Sequence, residues 1–275
     1  MQGCGDGRVS DLKVHYLNCG TFRPRFIKKV LGPLADVPSV CLLLQDGDRL
    51  MLVDSGLGTR DMKDPRRLGF PNLMLNAVPD VEQTATRQIE QMGLDPADVT
   101  DIICTHLDSD HAGGLADFPD ARVHVLQTEH DAACGENRSR RPAYRGCHFD
   151  HDPKWVTYKD TSGEDWFGME CIRGLEGLPA GLVLLPLPGH TGGQCGVAVE
   201  TDDGWLLHCG DAFYAADELE HPPAAVRFFA HLAHDDPKSA RLQLSRIKKV
   251  IAEGKGAVTV MASHDRQGFD RLTGD

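Results

Sequence analysis

Positive charge is scarce in this chain. Against 41 Asp and Glu stand 29 Lys and Arg, a formal net charge of −12 over 275 residues. Affinity for nucleic-acid backbones comes mostly from Lys and Arg contacts to phosphate, so this balance argues against a nucleic-acid partner. One local run, Arg138-Ser139-Arg140-Arg141-Pro142-Ala143-Tyr144-Arg145, is basic enough to meet an anion, although such runs usually form a solvated loop. Apolar runs approaching the ~18 residues needed to cross a bilayer are missing, so no membrane partner is expected. The opening Met1-Gln2-Gly3-Cys4-Gly5-Asp6-Gly7-Arg8 lacks the basic and apolar architecture of a secretion signal. Nine cysteines are an odd number, and no two stand in a CxxC pair. That fits reduced, buried thiols in a cytoplasmic protein better than a disulfide framework. Low-complexity tracts and an interdomain linker are absent as well.

What is present suits a folded α/β protein. Hydrophobic residues make up 41% and charged residues 25%, enough for a sizeable core. Length over 150 gives roughly 1.8 domains, compatible with one large domain over residues 1–275. Residues up to about 37 hold a leading strand, Leu12 to Leu17, and a polar segment with basic pairs. Ser39 to Leu44 and Leu50 to Val53 flank Asp46-Gly47 as a hairpin. A helix is predicted from Asp80, capped with Gln83, with Val81, Ala85, Ile89 and Met92 on one face and Gly93 as its stop. Asp101 to Thr105 and Arg122 to Leu126 read as strands, and Gln127 to Cys134 as a short helix. Residues 135 to 180 lack clean periodicity and are expected to form a lid or pocket insertion, in which Trp155, Trp166 and Phe167 shape an apolar pocket or pack the lid down. Strands follow at Leu182 to Leu187, Gly196 to Glu200 and Trp205 to Cys209. A helix opens at Asp236-Pro237, buries Ala240, Leu244, Ile247 and Ile251, and stops at Gly254. Ala257 to Ala262 is the closing strand.

The chemistry concentrates where strands end. After Thr105 comes His106-Leu107-Asp108-Ser109-Asp110-His111-Ala112-Gly113-Gly114, four potential ligands in six residues, with two glycines that permit a tight bend. His190 follows the strand ending at Leu187, Asp211 the one ending at Cys209, and His264 the one ending at Ala262. Such residues converge on a metal only if their strands share a direction or are suitably folded over. His208 reads as structural, His148 and His151 as surface or pocket residues, and Cys195 and Cys209 as buried thiols with no base beside them.

The set Asp54-Ser55-Gly56, His106-x-Asp108-x-Asp110-His111, Pro188-Gly189-His190-Thr191, Gly210-Asp211 and Ser263-His264 resembles the metallo-β-lactamase-fold hydrolases, in family order along almost the whole chain. The resemblance implies an α/β fold, a four-layer αβ/βα sandwich of two facing mixed sheets with helices outside. It implies His106, Asp108 and His190 around a first metal and Asp110, His111 and His264 around a second, with Asp211 bridging. Asp54 would orient a ligand imidazole, or cap its strand. Most family members carry His at position 108; an Asp oxygen stands two bonds from Cβ, as Nδ1 does, and makes the site harder and more anionic. Two divalent ions are implied, zinc first, with iron or manganese as alternatives. Tyr214, three residues after Asp211, is similar in spacing to N-acyl-homoserine lactone lactonases, where a Tyr at this place bonds the substrate carbonyl; a packed core Tyr is the other reading.

The expected activity is hydrolysis of an ester, lactone or similar acyl bond of a small molecule. Asp110 would shuttle the leaving-group proton and Tyr214 would support the oxyanion. An iron-dependent oxidoreductase, a phosphodiesterase and a non-catalytic binding protein of the same fold stand as alternatives. Substrate and oligomeric state are not legible.

Overall fold

The computed structural model describes residues 12–24, 36–136, 138–159, 163–220 and 230–274. The amino-terminal stretch around Met1 to Arg8 and the basic segment at 25–35 lie outside the described residues.

One sheet of seven strands runs in the order β4-β1-β2-β3-β5-β6-β7. Its strands are β1 (Lys13–Phe22), β2 (Val37–Asp46), β3 (Arg49–Val53), β4 (Ala77–Val78), β5 (Val99–Ile103), β6 (Arg122–Leu126) and β7 (Lys154–Tyr158). A hairpin of β8 (Glu164–Trp166) and β9 (Met169–Cys171) follows. The second sheet, β10-β11-β12-β13, is built from β10 (Leu182–Pro186), β11 (Cys195–Thr201), β12 (Gly204–His208) and β13 (Val258–Met261). Both sheets are mixed: β1 to β3 pair antiparallel and β3, β5, β6 and β7 parallel, while β12 and β13 are parallel beside an antiparallel β10-β11-β12.

The residue pattern explains the layering. Val40, Leu42 and Leu44 of β2 point at Leu182 and Leu184 of β10 and Val197 of β11, forming the core between the sheets. Cys41 and Leu43 point the other way and meet Ala85 and Ile89 of the helix Ala85–Gln91. Likewise Val183 and Leu185 of β10 pack outward on Ile247 and Val250 of the helix Pro237–Glu253. Strands covered on both faces read as continuous apolar runs, as these do. The sandwich is the expected αβ/βα arrangement. Leu42→Ala, in the middle of the inner layer and fully buried, is expected to cost about 2–5 kcal/mol, measured by denaturant unfolding; a loss below about 1 kcal/mol would mean that this layer collapses around the gap.

Four expectations shift locally. The turn between β2 and β3 is Gly47-Asp48, one residue later than expected, with Gly47 at φ 60 and Asp46 paired to Arg49. The helix expected from Asp80 is split: Asp80 caps the short helix Val81–Gln83, and Thr84 then starts the helix Ala85–Gln91, with Met92 exposed. Thr84 accepts from Arg87 N, so a second cap replaces a continuous helix. The helix Pro237–Glu253 buries Ala240, Gln243, Ile247 and Val250, and leaves Ile251 exposed. The 135–180 stretch carries three strands, and its aromatics do not line one pocket. Trp166 is buried in the outer core of the second sheet, edge-on to Trp205, while Trp155 packs on the first sheet's outer core beside Phe149.

Candidate metal centre

Five strand ends meet at one edge. β3 and β5 run parallel, as do β12 and β13, and two successive antiparallel pairings return β10 to the direction of β12. Asp54 therefore follows β3, His106 follows β5, His190 follows β10, Asp211 follows β12 and His264 follows β13, all on the same side.

The loop after β5 is held by the turn after β3. Ser55 N and Oγ donate to His111 O at 2.7 and 2.9 Å. Gly113 and Gly114 serve space rather than bending, since both have ordinary helical φ. A Cβ on Gly113 would stand 2.5 Å from Ser109 O and Asp61 Oδ2, and one on Gly114 2.5 Å from Ser55 O. Gly210 does need its left-handed φ of 54, which turns the chain after β12 so that Asp211 enters the cluster.

Each imidazole is fixed through Nδ1. Asp54 accepts from Thr105 N at 2.7 Å, from Thr105 Oγ1 at 2.8 Å and from His111 Nδ1 at 2.9 Å. Because that hydroxyl donates to Asp54, it accepts from His106 Nδ1 at 3.0 Å. His264 Nδ1 donates to Pro38 O at 2.6 Å. A guanidinium can only donate, so the 2.9 Å contact of Arg141 Nη2 with His190 Nε2 leaves His190 Nδ1 to donate to Tyr214 Oη, also at 2.9 Å. All four rings thus turn Nε2 inward.

The inward atoms fall into groups with metal-ligand spacing: His106, Asp108 and His190; Asp110, His111 and His264; and His106, His111 and Asp211. Asp108 Oδ2 is 3.7 Å from His106 Nε2 and 3.1 Å from His190 Nε2. Asp211 presents Oδ1 to His111 Nε2 at 3.3 Å, and Oδ2 to His264 Nε2 at 3.3 Å and His190 Nε2 at 3.5 Å. His264 Nε2 lies 3.4 Å from Asp110 Oδ2. Ligands at about 2.0–2.1 Å around a tetrahedral ion stand about 3.3 Å apart, so this donor set fits divalent ions. His106 Nε2, His111 Nε2 and Asp211 Oδ1 are buried with no hydrogen-bond partner, which a cation would satisfy.

The electrostatics carry the same signature. Burial and the neighbouring His111 hold His106 well below the usual imidazole range. Burial also disfavours charge on His111 and His264, but Asp211 outweighs it in both, with Asp54 adding at His111, and pushes His264 up to about 9. At Asp211 burial opposes the charge, yet His264, His111 and His190 outweigh it and hold the carboxyl well below its usual range. Burial works against Asp108 in the same way, and Arg141 overcomes it to hold that carboxyl low. Protein stripped of divalent ions is therefore expected to lose stability as pH rises from about 6.5 through about 9, because His264 binds its proton more tightly folded than unfolded. At 1.36 kcal/mol per pK unit the loss is about 3 kcal/mol, read as a falling thermal midpoint; a midpoint that rises over this window overturns the assignment.

The structure brings together every residue singled out for metal binding. Tyr214 Oη sits behind His190, and its ring stacks near those of His234 and His264. His208 is buried with Nε2 3.1 Å from Val40 O. His148 is neither surface nor pocket; it is buried against Asp61 Oδ1 at 3.0 Å. Burial pushes Cys209 up from its ordinary value, as befits an inert thiol. Two groups escaped sequence reasoning. Glu129 accepts from Leu107 N at 2.9 Å, Thr191 Oγ1 at 2.6 Å and Tyr144 Oη at 2.8 Å, tying the His106 loop to the His190 loop. Arg141, from the run read as a solvated loop, reaches the cluster itself. No local pattern marks either residue; their partners lie 15 to 62 positions away for Glu129, and 33 to 94 away for Arg141.

A family model described as the metallo-beta-lactamase superfamily matches residues 34–264. A probable metallo-hydrolase of Mycobacterium tuberculosis is 36% identical over 258 residues, 92% of this chain and 80% of the relative. An N-acyl homoserine lactonase of Bacillus thuringiensis is 27% identical over 227 residues, 82% of this chain and 80% of the relative. Among solved structures, an N-acyl homoserine lactone hydrolase with its product N-hexanoyl-L-homoserine at the catalytic metal centre aligns with a TM-score of 0.69 and 22% identity, covering 97% of each chain. A dizinc quorum-quenching lactonase aligns at 0.60 and 18% identity, covering 94% of this chain and 89% of its own.

Proposed function

The chain belongs to the metallo-β-lactamase superfamily, and we propose that it is a dinuclear metal-dependent hydrolase that opens a lactone or cleaves an ester of a small molecule. The observation that carries this reading is the donor set: four imidazoles fixed through Nδ1, with Nε2 turned onto three buried or half-buried carboxylates. His106, Asp108 and His190 would hold one ion, Asp110, His111 and His264 the other, and Asp211 would touch both. Zinc is the first choice, with iron and manganese to be tested because Asp108 hardens the first site. Bound there, the two ions would supply a nucleophilic water at neutral pH and polarise the scissile carbonyl.

The chain's own residues do the remainder. Asp54, Thr105 and the Pro38 carbonyl hold three imidazoles in the tautomer that leaves Nε2 a lone pair. Tyr214 accepts from His190 Nδ1, which makes it a positioning residue for that ring. Asp110 is the least buried of the carboxylates in the cluster, 14% exposed, and so is placed to pass a proton between the leaving group and solvent. Residues 138–147 border a cavity of about 620 Å³ lined by Arg138, Arg140, Arg141, Tyr144 and Arg145. Its basic wall favours acyl substrates with a polar or anionic tail over purely alkyl ones.

Dialysis against a strong chelator is expected to abolish hydrolysis across a panel of lactones, esters and phosphodiesters, and re-addition of zinc, iron or manganese to restore it on the acyl substrates. Activity that persists in thoroughly stripped protein sinks the metal mechanism. Restoration only on phosphodiesters sinks the substrate class while leaving the centre intact.

A further inference from the structure

Arg141 is the one Arg or Lys among the described residues that pairs with a carboxylate of the cluster. Its side chain is 10% exposed, turned inward from a run whose Arg138 and Arg140 are exposed. Nε donates to Asp108 Oδ1 at 2.7 Å and Nη2 to Asp108 Oδ2 at 2.6 Å, a two-pronged pair. Nη1 donates to Asp235 Oδ1 at 2.6 Å and to His190 O at 3.3 Å. Nη2 donates in addition to His190 Nε2 at 2.9 Å.

These contacts differ in what they consume. Asp108 has about four lone-pair sites and can serve Arg141 and a metal ion together. His190 Nε2 has a single in-plane lone pair, and Arg141 uses it. An ion held by His106, Asp108 and His190 therefore needs a lone pair that is already engaged, and it needs it beside a guanidinium that carries a full positive charge. The other group meets no such competitor. His111 Nε2 has no hydrogen-bond partner, and no Arg or Lys nitrogen comes within the 4.0 Å ion-pair distance of Asp110 or Asp211 among the described residues. Asp108 is what anchors the guanidinium: an imidazole at this position would offer no two-oxygen acceptor for the Arg141 fork.

We infer that Arg141 is an internal competitor for the first metal position, so that the site of Asp110, His111, His264 and Asp211 fills first and tightly. The site of His106, Asp108 and His190 fills only as Arg141 Nη2 withdraws from His190. This rests on the metal-centre reading above. It makes occupancy of the first site adjustable: whatever draws Arg141 away, such as an anionic group entering the cavity that Arg141 lines, strengthens metal binding there. Asp108 and Arg141 then act as a pair, the carboxylate that stands in for the family's usual imidazole and the cation that it retains.

The test is a calorimetric titration of metal-stripped protein with Zn²⁺, paired with elemental analysis after dialysis, on the wild type and on Arg141→Met, which keeps length and removes charge. The wild type is expected to take one tight equivalent and a second that binds roughly tenfold or more weakly, the scale of one charged hydrogen bond. Arg141→Met should tighten the weaker equivalent by a similar factor and leave the tight one unchanged. Two indistinguishable equivalents in the wild type overturn the inference, as does a variant whose weaker equivalent stays the same or weakens further. Should Arg141→Met fail to fold, Co²⁺ titration of the wild type followed by visible absorption decides alone: two resolved steps support the competitor, one merged step overturns it. Wild-type protein that binds no ion at all refutes the metal centre itself, a different outcome from either.

Discussion

Asp211→Ala is expected to strip the protein of both ions and to lower kcat/KM by roughly a thousandfold or more, the scale of the several kcal/mol that a Lewis-acid ion contributes to such a transition state. The reason is its reach. One carboxylate faces three of the four imidazoles, His111 through Oδ1 and His190 and His264 through Oδ2. It is also the anion that outweighs burial at His111 and His264, so its loss leaves two buried rings that repel each other when charged. Elemental analysis and steady-state kinetics check the prediction together. A variant that keeps two equivalents and more than about a tenth of the activity is incompatible with a bridging Asp211.

Asp54→Asn should be nearly as damaging, although nothing at position 54 faces the inward nitrogens. Asp54 is itself strained, with φ 58, and accepts three hydrogen bonds, from Thr105 N, Thr105 Oγ1 and His111 Nδ1. An amide keeps the shape but presents an N–H where one carboxylate oxygen accepted. His111 must then accept at Nδ1 and carry its proton on Nε2, the atom meant for the ion. Metal affinity is expected to fall about 10–100-fold, the usual effect of losing a ligand's orienting partner. Asp54→Ala removes the acceptor without forcing the tautomer. It should cost stability, about 1–3 kcal/mol for each buried donor left unpaired. Zinc titration of the two variants separates the effects. Equal, unchanged affinity in both would mean that Asp54 serves only the strand end.

Much of the centre is legible in the sequence because its residues occupy positions where chemistry and backbone pattern coincide. His106, Asp108, Asp110 and His111 crowd one loop behind an apolar strand. His190, Asp211 and His264 each stand just past another apolar strand. Apolar runs identify strands, and a polar residue at the end of one is at the rim of a sheet. The Asp236-Pro237 helix start is legible for the same kind of reason, local capping and periodicity. The insertion is not. Its aromatics look like pocket walls because nothing local distinguishes a Trp that lines a cavity from one that closes a core, and Trp166 closes a core.

Hydrophobic pattern along the chain specified a layered α/β domain with ligand-type residues at strand ends, and the resemblance of those motifs to the metallo-β-lactamase-fold hydrolases specified the two-sheet sandwich, the seven residues of the cluster and the oddity at position 108. Which nitrogen each imidazole turns inward was settled by the folded chain, because Nδ1 partners such as the Pro38 carbonyl, 226 residues from His264, depend on how the sheets face each other. The fold also settled the meaning of the scarce positive charge. Arg138 and Arg140 stay in solvent, as a basic run ordinarily does, while Arg141 turns inward to a buried carboxylate that has no other Arg or Lys partner among the described residues. A linear sequence cannot show that difference, since it depends on which side of the segment faces Asp108.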